Sequence, residues 1–417
     1  MGLLTLMGAS PCLDMDSADI IVLNTCAVRE NAENRLYGKL GELKRIKAEK
    51  PHAVIAVCGC MAQEAHTPET IRRSYPFVDI IFGTYAADEL PRLMLDVLER
   101  RTRAEDTAVR EMYIPRDVPL VRNSSFKAGV SIMYGCNNFC TFCVVPLVRG
   151  RERSRDPADV IEEVKSLAES GYKEIMLLGQ NVNSYGRYVP EGEKIGFAEL
   201  LRRIDAIDGD FRVRFMSPHP KDMTNEVLDV IAESRKLCRC IHLPLQSGSD
   251  RILKAMHRGY TVEKFMDIVN YGRKVMPGLS VTTDIIVGFP GEEYDDFRGT
   301  LDVMKNAVFD NIYSFIYSPR KGTRAASLPD PVPAEEKSLW MRELLTLQRE
   351  ISQNAYERFV GKEFEVLFDG EHGGRQSGKS DEGIITLADT PHDLCGQMRR
   401  VKVTKAHNWA VEGTLVP

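Results

Sequence analysis

Short apolar runs alternate with longer amphipathic segments over the first hundred residues. The apolar runs have the length and β-branched character of buried strands, and the longer segments place apolar residues three or four positions apart, as helices do. Strands are predicted at 19–24, 54–57 and 78–82, and helices at 29–50 and 86–99. Strands that alternate with helices form a parallel sheet covered on both faces. Residues 1–105 are therefore predicted to fold as an α/β domain with a doubly wound parallel sheet.

The same alternation resumes after a charged segment, 100–127, which contains Pro115 and Pro119 and which we interpret as a linker. Six further strands, each followed by a helical segment, are predicted at 128–133, 174–178, 212–216, 240–243, 279–287 and 309–317. Six such units predict a partial (βα)6 barrel over residues 122–353. In such folds the active-site residues lie at the carboxyl ends of the strands.

The pattern changes again after Asp330-Pro-Val-Pro333. An amphipathic helix is predicted at about 334–359, followed by short alternating strands at 363–368, 383–387, 400–404 and 410–415. Short strands between Gly- and Asp-rich turns predict a small antiparallel β-barrel, here over residues 354–417. Small barrels of this kind often bind nucleic acid. A long helix separates this barrel from the preceding series, so we expect it to behave as an independent module.

Composition adds little to this picture. The 417 residues are 43% hydrophobic and 28% charged, as in an ordinary globular protein. No apolar run approaches the roughly 18 residues of a membrane helix, so we expect a cytoplasmic protein without membrane contact. The net charge of −5 does not indicate nucleic-acid binding. Two local basic segments remain candidates for RNA contact: residues 149–155, with four arginines, and residues 399–405 near Trp409.

Cysteine spacing is the strongest chemical signal. Of ten cysteines, Cys136, Cys140 and Cys143 fall within eight residues just after the first barrel strand. Three thiolates can hold three irons of a [4Fe–4S] cluster and leave the fourth iron open. The alternatives are a zinc knuckle or three unrelated core cysteines. Structural zinc sites take four ligands, and no fourth Cys or His lies nearby.

This segment resembles the signature of the radical S-adenosylmethionine (SAM) superfamily, Cys-x3-Cys-x-aromatic-Cys, with Phe142 as the aromatic residue. The resemblance implies that SAM binds the open iron and is cleaved to a 5′-deoxyadenosyl radical. Within the superfamily the chain resembles the methylthiotransferases along essentially its whole length, and its terminal barrel resembles an RNA-binding TRAM domain. The resembling segments are 23–33, Val57-Cys-Gly-Cys-Met61, 178–185, 242–249 and 284–292.

The segment Asn24-Thr-Cys-Ala-Val-Arg-Glu-Asn-Ala-Glu33 is most similar to methylthiotransferases that act on isopentenyl-adenosine at position 37 of tRNA. That resemblance implies transfer of CH₃S to the adenine C2 carbon, with SAM as both methyl donor and radical source. Two alternatives within the family act on threonylcarbamoyl-adenosine in tRNA or on an aspartate of a ribosomal protein. A third reading is a non-catalytic iron–sulfur protein that binds RNA. The implied partners are a tRNA, an electron donor protein and a sulfur donor, and we expect a monomer.

A second [4Fe–4S] cluster is implied by the same resemblance, held by three cysteines in the N-terminal domain. Cys26 and Cys60 match the second and third ligands. The family's first strand and first ligand are missing from this sequence. Cys12 and Cys58 are interpreted as ordinary structural residues, although either could substitute. We therefore expect the auxiliary cluster to load poorly compared with the SAM cluster.

The SAM-binding residues implied by the resemblance follow successive barrel strands. Gly179, Gln180 and Asn181 come after the second strand, Ser217 after the third, and Gln246 after the fourth, while Asp284 lies in the fifth. Each is also a residue type that commonly caps or turns a loop. Three interpretations of the arginines in residues 149–155 stay open. They lie in a solvated loop, contact the SAM carboxylate, or contact the tRNA backbone.

Overall fold

The computed structural model describes residues 1–27, 30–110, 114, 120–189 and 192–416, apart from the side chains of residues 30 and 31. The chain forms two compact units. The first unit comprises residues 1–123, 134–139 and 143–153, and the second comprises 124–133, 140–142 and 154–417. The domain boundaries at 105, 122 and 354 stay predictions. Pro115 and Pro119 of the predicted linker lie outside the described residues.

A four-stranded parallel sheet in the order β1-β2-β3-β4 organises the first unit. This confirms the predicted doubly wound sheet. Its elements are α1 (Gly2–Leu6), β1 (Ile20–Thr25), α2 (Glu30–Glu49), β2 (Val54–Gly59), α3 (Thr67–Ser74), β3 (Ile80–Phe82), α4 (Leu90–Arg100), β4 (Ala104–Asp106) and α5 (Val145–Arg149), with a 3-10 turn at Met61–Gln63.

The two faces of this sheet are buried by different helices. Ile55 and Val57 pack with the apolar stripe of α2 and with Ile71 of α3. Val54 and Ala56 face the other way and pack with α4 and α1. Such alternation along a strand explains why continuous apolar runs mark strands buried on both faces.

The strand β4 corrects the interpretation of residues 104–106 as part of a linker. Its sequence Ala-Glu-Asp carries little strand signal, because two of its three residues are charged. The buried Asp106 carboxylate is paired with Arg110 at 2.7 Å and Arg92 at 3.2 Å, which compensates its removal from water. Tertiary charge pairing therefore supports a strand that local propensity does not predict.

Two three-stranded parallel sheets, β5-β8-β9 and β10-β11-β12, form the partial (βα)6 barrel of the second unit, as predicted. A parallel bridge between Val213 and Leu237 joins them. The strands are β5 (Lys127–Ser131), β6 (Met133–Tyr134), β7 (Arg153–Ser154), β8 (Glu174–Leu178), β9 (Arg212–Phe215), β10 (Cys240–His242), β11 (Ser280–Val287) and β12 (Asn311–Ile316). The helices are α6 (Pro157–Glu169), α7 (Phe197–Asp205), α8 (Asn225–Glu233), α9 (Asp250–Ala255), α10 (Val262–Val275), α11 (Tyr294–Ala307) and α12 (Ala334–Glu357), with 3-10 turns at Val182–Ser184, Pro220–Asp222 and Ala325–Ser327.

The terminal β-barrel is closed, in the order β13-β14-β15-β17-β16. Its strands are β13 (Glu363–His372), β14 (Arg375–Ser380), β15 (Ile385–Ala388), β16 (Met398–Ala406) and β17 (Val411–Leu415). The prediction of an antiparallel barrel holds except for β15 and β17, which are parallel. Directions cannot alternate fully around five strands, so one neighbouring pair must be parallel. The polar sequence Arg-Gln-Ser-Gly-Lys-Ser of β14 was not predicted as a strand, because it lacks apolar alternation.

Buried charges attach the terminal barrel to the amino ends of the partial-barrel strands. Arg212 and Arg214 of β9 both donate to Glu174 of β8, at 2.9 and 2.8 Å. Arg212 also donates to the carbonyl of Lys379, and Arg214 to that of Ser380. The three charged side chains are less than 10% exposed. The barrel is therefore not independent in the sense expected from the sequence, because its β14–β15 turn satisfies the buried arginines.

Electrostatics keep Glu174 ionised in this setting. Burial alone would raise the pKa of Glu174, but attraction to Arg214 and Arg212 outweighs burial and lowers the pKa to about 2. A carboxylate with a depressed pKa stabilises the fold fully above its ordinary value of 4.5. This contribution is lost as the pH falls from 4.5 toward 2.

No helix among the described residues is both long enough and apolar enough to cross a membrane.

Replacing Glu174 with Gln tests this buried network. The neutral amide leaves buried Arg214 without its carboxylate partner and leaves Arg212 only the more exposed Asp381, so the free energy of unfolding should fall by about 3 kcal/mol. Glu193→Gln is the matched control, because Glu193 pairs with Arg203 on the surface and its loss should leave the unfolding midpoint nearly unchanged. Urea denaturation at pH 7 measures both variants. Equal midpoints for the two variants would contradict the network's structural role.

Candidate active site

The three clustered cysteines lie on one continuous segment after β6. Cys136 and Cys140 are buried and Cys143 is partly buried. Gly135, with φ of +73°, begins the segment, and a Cβ there would lie 2.0 Å from the carbonyl oxygen of Arg151. Only glycine fits this position. The segment is thus folded by its backbone surroundings, and not by the cysteines themselves.

A buried arginine, Arg258, contacts the sulfur of Cys140. Its Nη1 lies 3.3 Å from Cys140 Sγ, its Nη2 donates to the carbonyl of Pro244, and its Nε donates to the hydroxyl of Tyr260. Burial alone would lower the pKa of Arg258, but Tyr260 and Cys140 outweigh it and the pKa is raised. Arg258 therefore directs a buried, positively charged N–H donor at the sulfur of Cys140.

The donor set of this segment fits an iron–sulfur cluster better than a single ion. Within the described residues, no three His, Cys, Asp or Glu side chains come close enough together to hold one metal ion. Each thiolate of a [4Fe–4S] cluster binds a different iron, so cluster ligands stand farther apart than the ligands of one ion. Three thiols on one segment are the donor type that a [4Fe–4S] cluster takes, and the assignment of Cys136, Cys140 and Cys143 to the SAM cluster stays a prediction.

Two of the loops with predicted SAM-binding residues meet beside β8. Gly179 is packed closely, since a Cβ there would lie 2.5 Å from Met133 Cγ. Asn181 is buried and donates to Asp222 Oδ2 at 2.8 Å, and Asp222 also pairs with Arg187. Gln180 is partly buried between them. Asn181 is therefore oriented by a carboxylate that the sequence did not single out.

Ser217 and Gln246 have backbone angles that non-glycine residues seldom adopt. Their φ values are +61° and +71°, and they lie in the loops that follow β9 and β10. Gln246 donates its N–H to the carbonyl of Asp284 at 2.8 Å, so the structure brings these two predicted residues together. Strained backbone of this kind clusters at functional sites, and it costs about 1–3 kcal/mol per residue. The Gln246 amide oxygen is buried and makes no hydrogen bond within the described residues.

Cys26 and Cys60, the predicted auxiliary ligands, end up side by side. Each follows a paired strand end, since Thr25 of β1 is in register with Gly59 of β2. Cys26 is exposed and Cys60 is buried. Cys60 Sγ lies 3.0 Å from Nε of Arg149, the last residue of α5.

The structure does not support Cys58 or Cys12 as substitutes for a third ligand. Cys58 packs on the opposite face of the sheet from Cys60, and burial raises the pKa of the Cys58 thiol to about 12. Cys12 bonds to Ser17 in the segment that leads into β1. The neighbouring Asp16 pairs with Arg45 near the end of α2, so Cys12 lies toward the amino ends of the strands. The described residues thus bring together two cysteines, where the family resemblance implies three.

The arginine-rich segment is not a solvated loop throughout. Arg153 is buried between the rings of Tyr85 and Tyr134, each 5.5 Å away. Arg155 pairs with Glu163 at 2.6 Å. Arg149 contacts Cys60, as described above. Sequence reasoning missed the specific partners of Arg149 and Arg258, because those partners are 89 and 118 residues away along the chain.

Comparison with known proteins agrees with this site. The profile of the Radical SAM superfamily matches residues 130–304, and that of Uncharacterized protein family UPF0004 matches residues 1–83. Proteins named tRNA-2-methylthio-N(6)-dimethylallyladenosine synthase are similar over nearly the whole chain. The one from Carboxydothermus hydrogenoformans is 44% identical over 100% of this chain and 94% of its own length. That from Moorella thermoacetica is 43% identical over 98% and 92%.

A solved structure supports the fold. The radical SAM methyltransferase TsrM from Kitasatospora setae, with cobalamin and a [4Fe–4S] cluster bound, matches with a TM-score of 0.54 at 14% identity, over 86% of this chain and 66% of that one. The fold and the cysteine segment define a radical SAM protein. The chain belongs to the methylthiotransferase family of tRNA-2-methylthio-N(6)-dimethylallyladenosine synthases. Membership of this family makes SAM and [4Fe–4S] clusters its cofactors.

Replacing Gln246 with Met tests whether its buried oxygen serves SAM. Removing a buried acceptor that lacks a protein partner should leave the melting temperature unchanged or raise it. Loss of a ligand contact should weaken SAM binding about tenfold, measured by calorimetry on the cluster-loaded enzyme.

Gln348→Met is the control, because Gln348 is buried away from the site and donates to Ser352 and Phe309. It should lower the melting temperature without changing SAM affinity. Unchanged SAM affinity in Gln246→Met would exclude Gln246 from the binding site.

Proposed function

We propose that this protein transfers a methylthio group to the C2 carbon of N6-dimethylallyladenosine in tRNA. The observation that carries this is the cysteine segment at the carboxyl ends of a partial barrel, in a chain 43–45% identical throughout to proteins named for that reaction. The tRNA position, next to the anticodon, comes from the resemblance stated above. Partners are a tRNA, an electron donor protein and a sulfur donor. The protein is proposed to act in the cytoplasm as a monomer.

Cys136, Cys140 and Cys143 are proposed to hold the SAM cluster. When bound, this cluster supplies the electron for reductive cleavage of SAM. Arg258 holds Cys140 in a buried, positively charged setting. Gly179, Gln180, Asn181, Ser217, Gln246 and Asp284 are proposed to line the SAM site, where amide and backbone oxygens accept N–H bonds from the SAM amino group.

No acid or base is required at the reacting carbon. The C2–H bond of adenine has no useful acidity, so hydrogen must be removed as an atom, a task for a cofactor and not for a side chain. The protein's contribution is then to position the base and exclude water. Cys26 and Cys60 are proposed as auxiliary-cluster ligands, and no step is assigned to that cluster because only two thiols meet in the described residues.

The cluster assignment predicts a sharp effect of single substitutions. Cys136→Ala, Cys140→Ala or Cys143→Ala should each abolish formation of 5′-deoxyadenosine, because two thiolates hold the cluster poorly. Cys395→Ala is the control, since Cys395 is exposed in the terminal barrel, and its product rate should equal that of the wild type. Chromatography of anaerobic reactions with SAM and dithionite measures both. A normal rate in any of the three variants would refute the assignment.

The substrate assignment predicts where the methylthio group appears. With SAM labelled in its methyl group, label should enter tRNA that carries dimethylallyladenosine and be recovered in that nucleoside by mass spectrometry. Label in threonylcarbamoyl-adenosine or in ribosomal protein would point to the sister activities. Absence of 5′-deoxyadenosine with all three substrates would favour a non-catalytic RNA-binding protein.

A further inference from the structure

The inner face of β11 and β12 carries large aromatic side chains that the core does not use. Ile285, Val287 and Ile312 pack with the surrounding helices. Tyr313 and Phe315 are 49% and 48% exposed. Because side chains alternate along a strand, these two residues occupy the face that points away from the helices, here called the inner face.

Strand register brings this aromatic pair to the candidate site. Tyr313 is in register with Asp284, and Phe315 with Ile286. The Tyr313 ring lies edge-on to His242, with centroids 5.7 Å apart, and His242 Nε2 lies 3.4 Å from Asp284 Oδ2. Tyr313 is therefore held in place. Phe315 stands two residues nearer the carboxyl end, where the predicted SAM-binding loops begin.

Other half-exposed apolar side chains share this end of the partial barrel. Leu178, at the end of β8, is 37% exposed, and Met216, just after β9, is 39% exposed. Apolar surface concentrated inside a concave site indicates a ligand with apolar parts. Because these side chains lie inside the partial barrel, they favour a small chemical group that enters from the carboxyl ends of the strands. They do not favour the surface of a second protein.

The charges of the inner face narrow the choice of ligand. Along the described strands β8 to β12, the inner cations are Arg212 and Arg214, both engaged at the amino ends by Glu174. Toward the carboxyl ends, the charged group on these strands is Asp284, beside His242. At the carboxyl ends of these described strands, a carboxylate on the substrate would meet no arginine or lysine and would be repelled by Asp284. A dimethylallyl group is uncharged and branched, and suits Tyr313 and Phe315.

We propose that Tyr313 and Phe315 determine substrate specificity by receiving the N6-dimethylallyl group of the substrate. The proposal rests on the proposed function and assigns part of its selectivity to two side chains. Burying apolar carbons stabilises a complex by about 0.8 kcal/mol per carbon, so shielding two carbons of this group from water is worth roughly a tenfold change in affinity. Carboxylate-bearing threonylcarbamoyl-adenosine is disfavoured because its charge is unpaired on this face.

Three anticodon stem-loop RNAs test the proposal, with adenosine, dimethylallyladenosine or threonylcarbamoyl-adenosine at the same position. Affinity is measured by fluorescence anisotropy with the cluster-loaded full chain. Wild-type protein should prefer the dimethylallyl RNA over the adenosine RNA. Phe315→Ala and Tyr313→Ala should each lower that preference about tenfold, with affinity for the adenosine RNA much less affected. Phe315→Arg should raise relative affinity for the threonylcarbamoyl RNA.

Leu345→Ala is the matched control, because Leu345 is an exposed aliphatic residue on α12, and it should leave every affinity unchanged. Melting temperatures establish that the variants are folded, which half-exposed positions should permit. A wild-type preference that survives in both alanine variants would overturn the inference while leaving the proposed function intact. Wild-type protein that binds the dimethylallyl and adenosine RNAs alike would contradict both.

Discussion

Parallel pairing constrains where chemistry can occur in this protein. In a parallel sheet every strand ends at the same edge, so the loops that follow neighbouring strands are brought together whatever their separation in sequence. Register between Thr25 and Gly59 places Cys26 beside Cys60 in the first unit. In the second unit, the same rule places Gln246 against Asp284. The predicted site residues are therefore grouped by strand direction before any specific contact is made.

Guanidinium groups contact several of the buried thiols and carboxylates. Arg258 contacts Cys140, Arg149 contacts Cys60, and Arg212 and Arg214 share Glu174. Arginine stays charged when buried and has five donors in a planar fork, so one side chain can satisfy a sulfur and backbone carbonyls together. The first two contacts place a guanidinium N–H against the sulfur of a candidate cluster ligand. The contact of Arg212 and Arg214 with Glu174 joins the terminal barrel to the partial barrel and has no role in the proposed reaction.

Strain and apolar exposure mark the same end of the partial barrel. Ser217 and Gln246 hold positive φ values at strand ends, and Tyr313 and Phe315 leave half of their surface open nearby. Neither feature stabilises the fold. Both are explained if the site must present polar oxygens to SAM and an apolar surface to a modified adenine. The site thus has polar loops at the carboxyl ends of the strands and aromatic side chains on the inner face of the strands themselves.

The amino-acid sequence by itself determined the order and type of most elements, because buried strands and amphipathic helices carry periodic apolar patterns. It also determined the cysteine segment, since Cys136, Cys140 and Cys143 are neighbours along the chain. It did not reveal β4 or β14, whose charged and polar residues lack an apolar pattern and form strands by pairing with β3 and β13. Only the tertiary structure decided that Cys58 faces away from Cys60, that Arg258 and Arg149 meet cysteines, and that Tyr313 and Phe315 share a face with Asp284. These facts depend on register and on contacts between residues far apart in sequence, which no local pattern encodes.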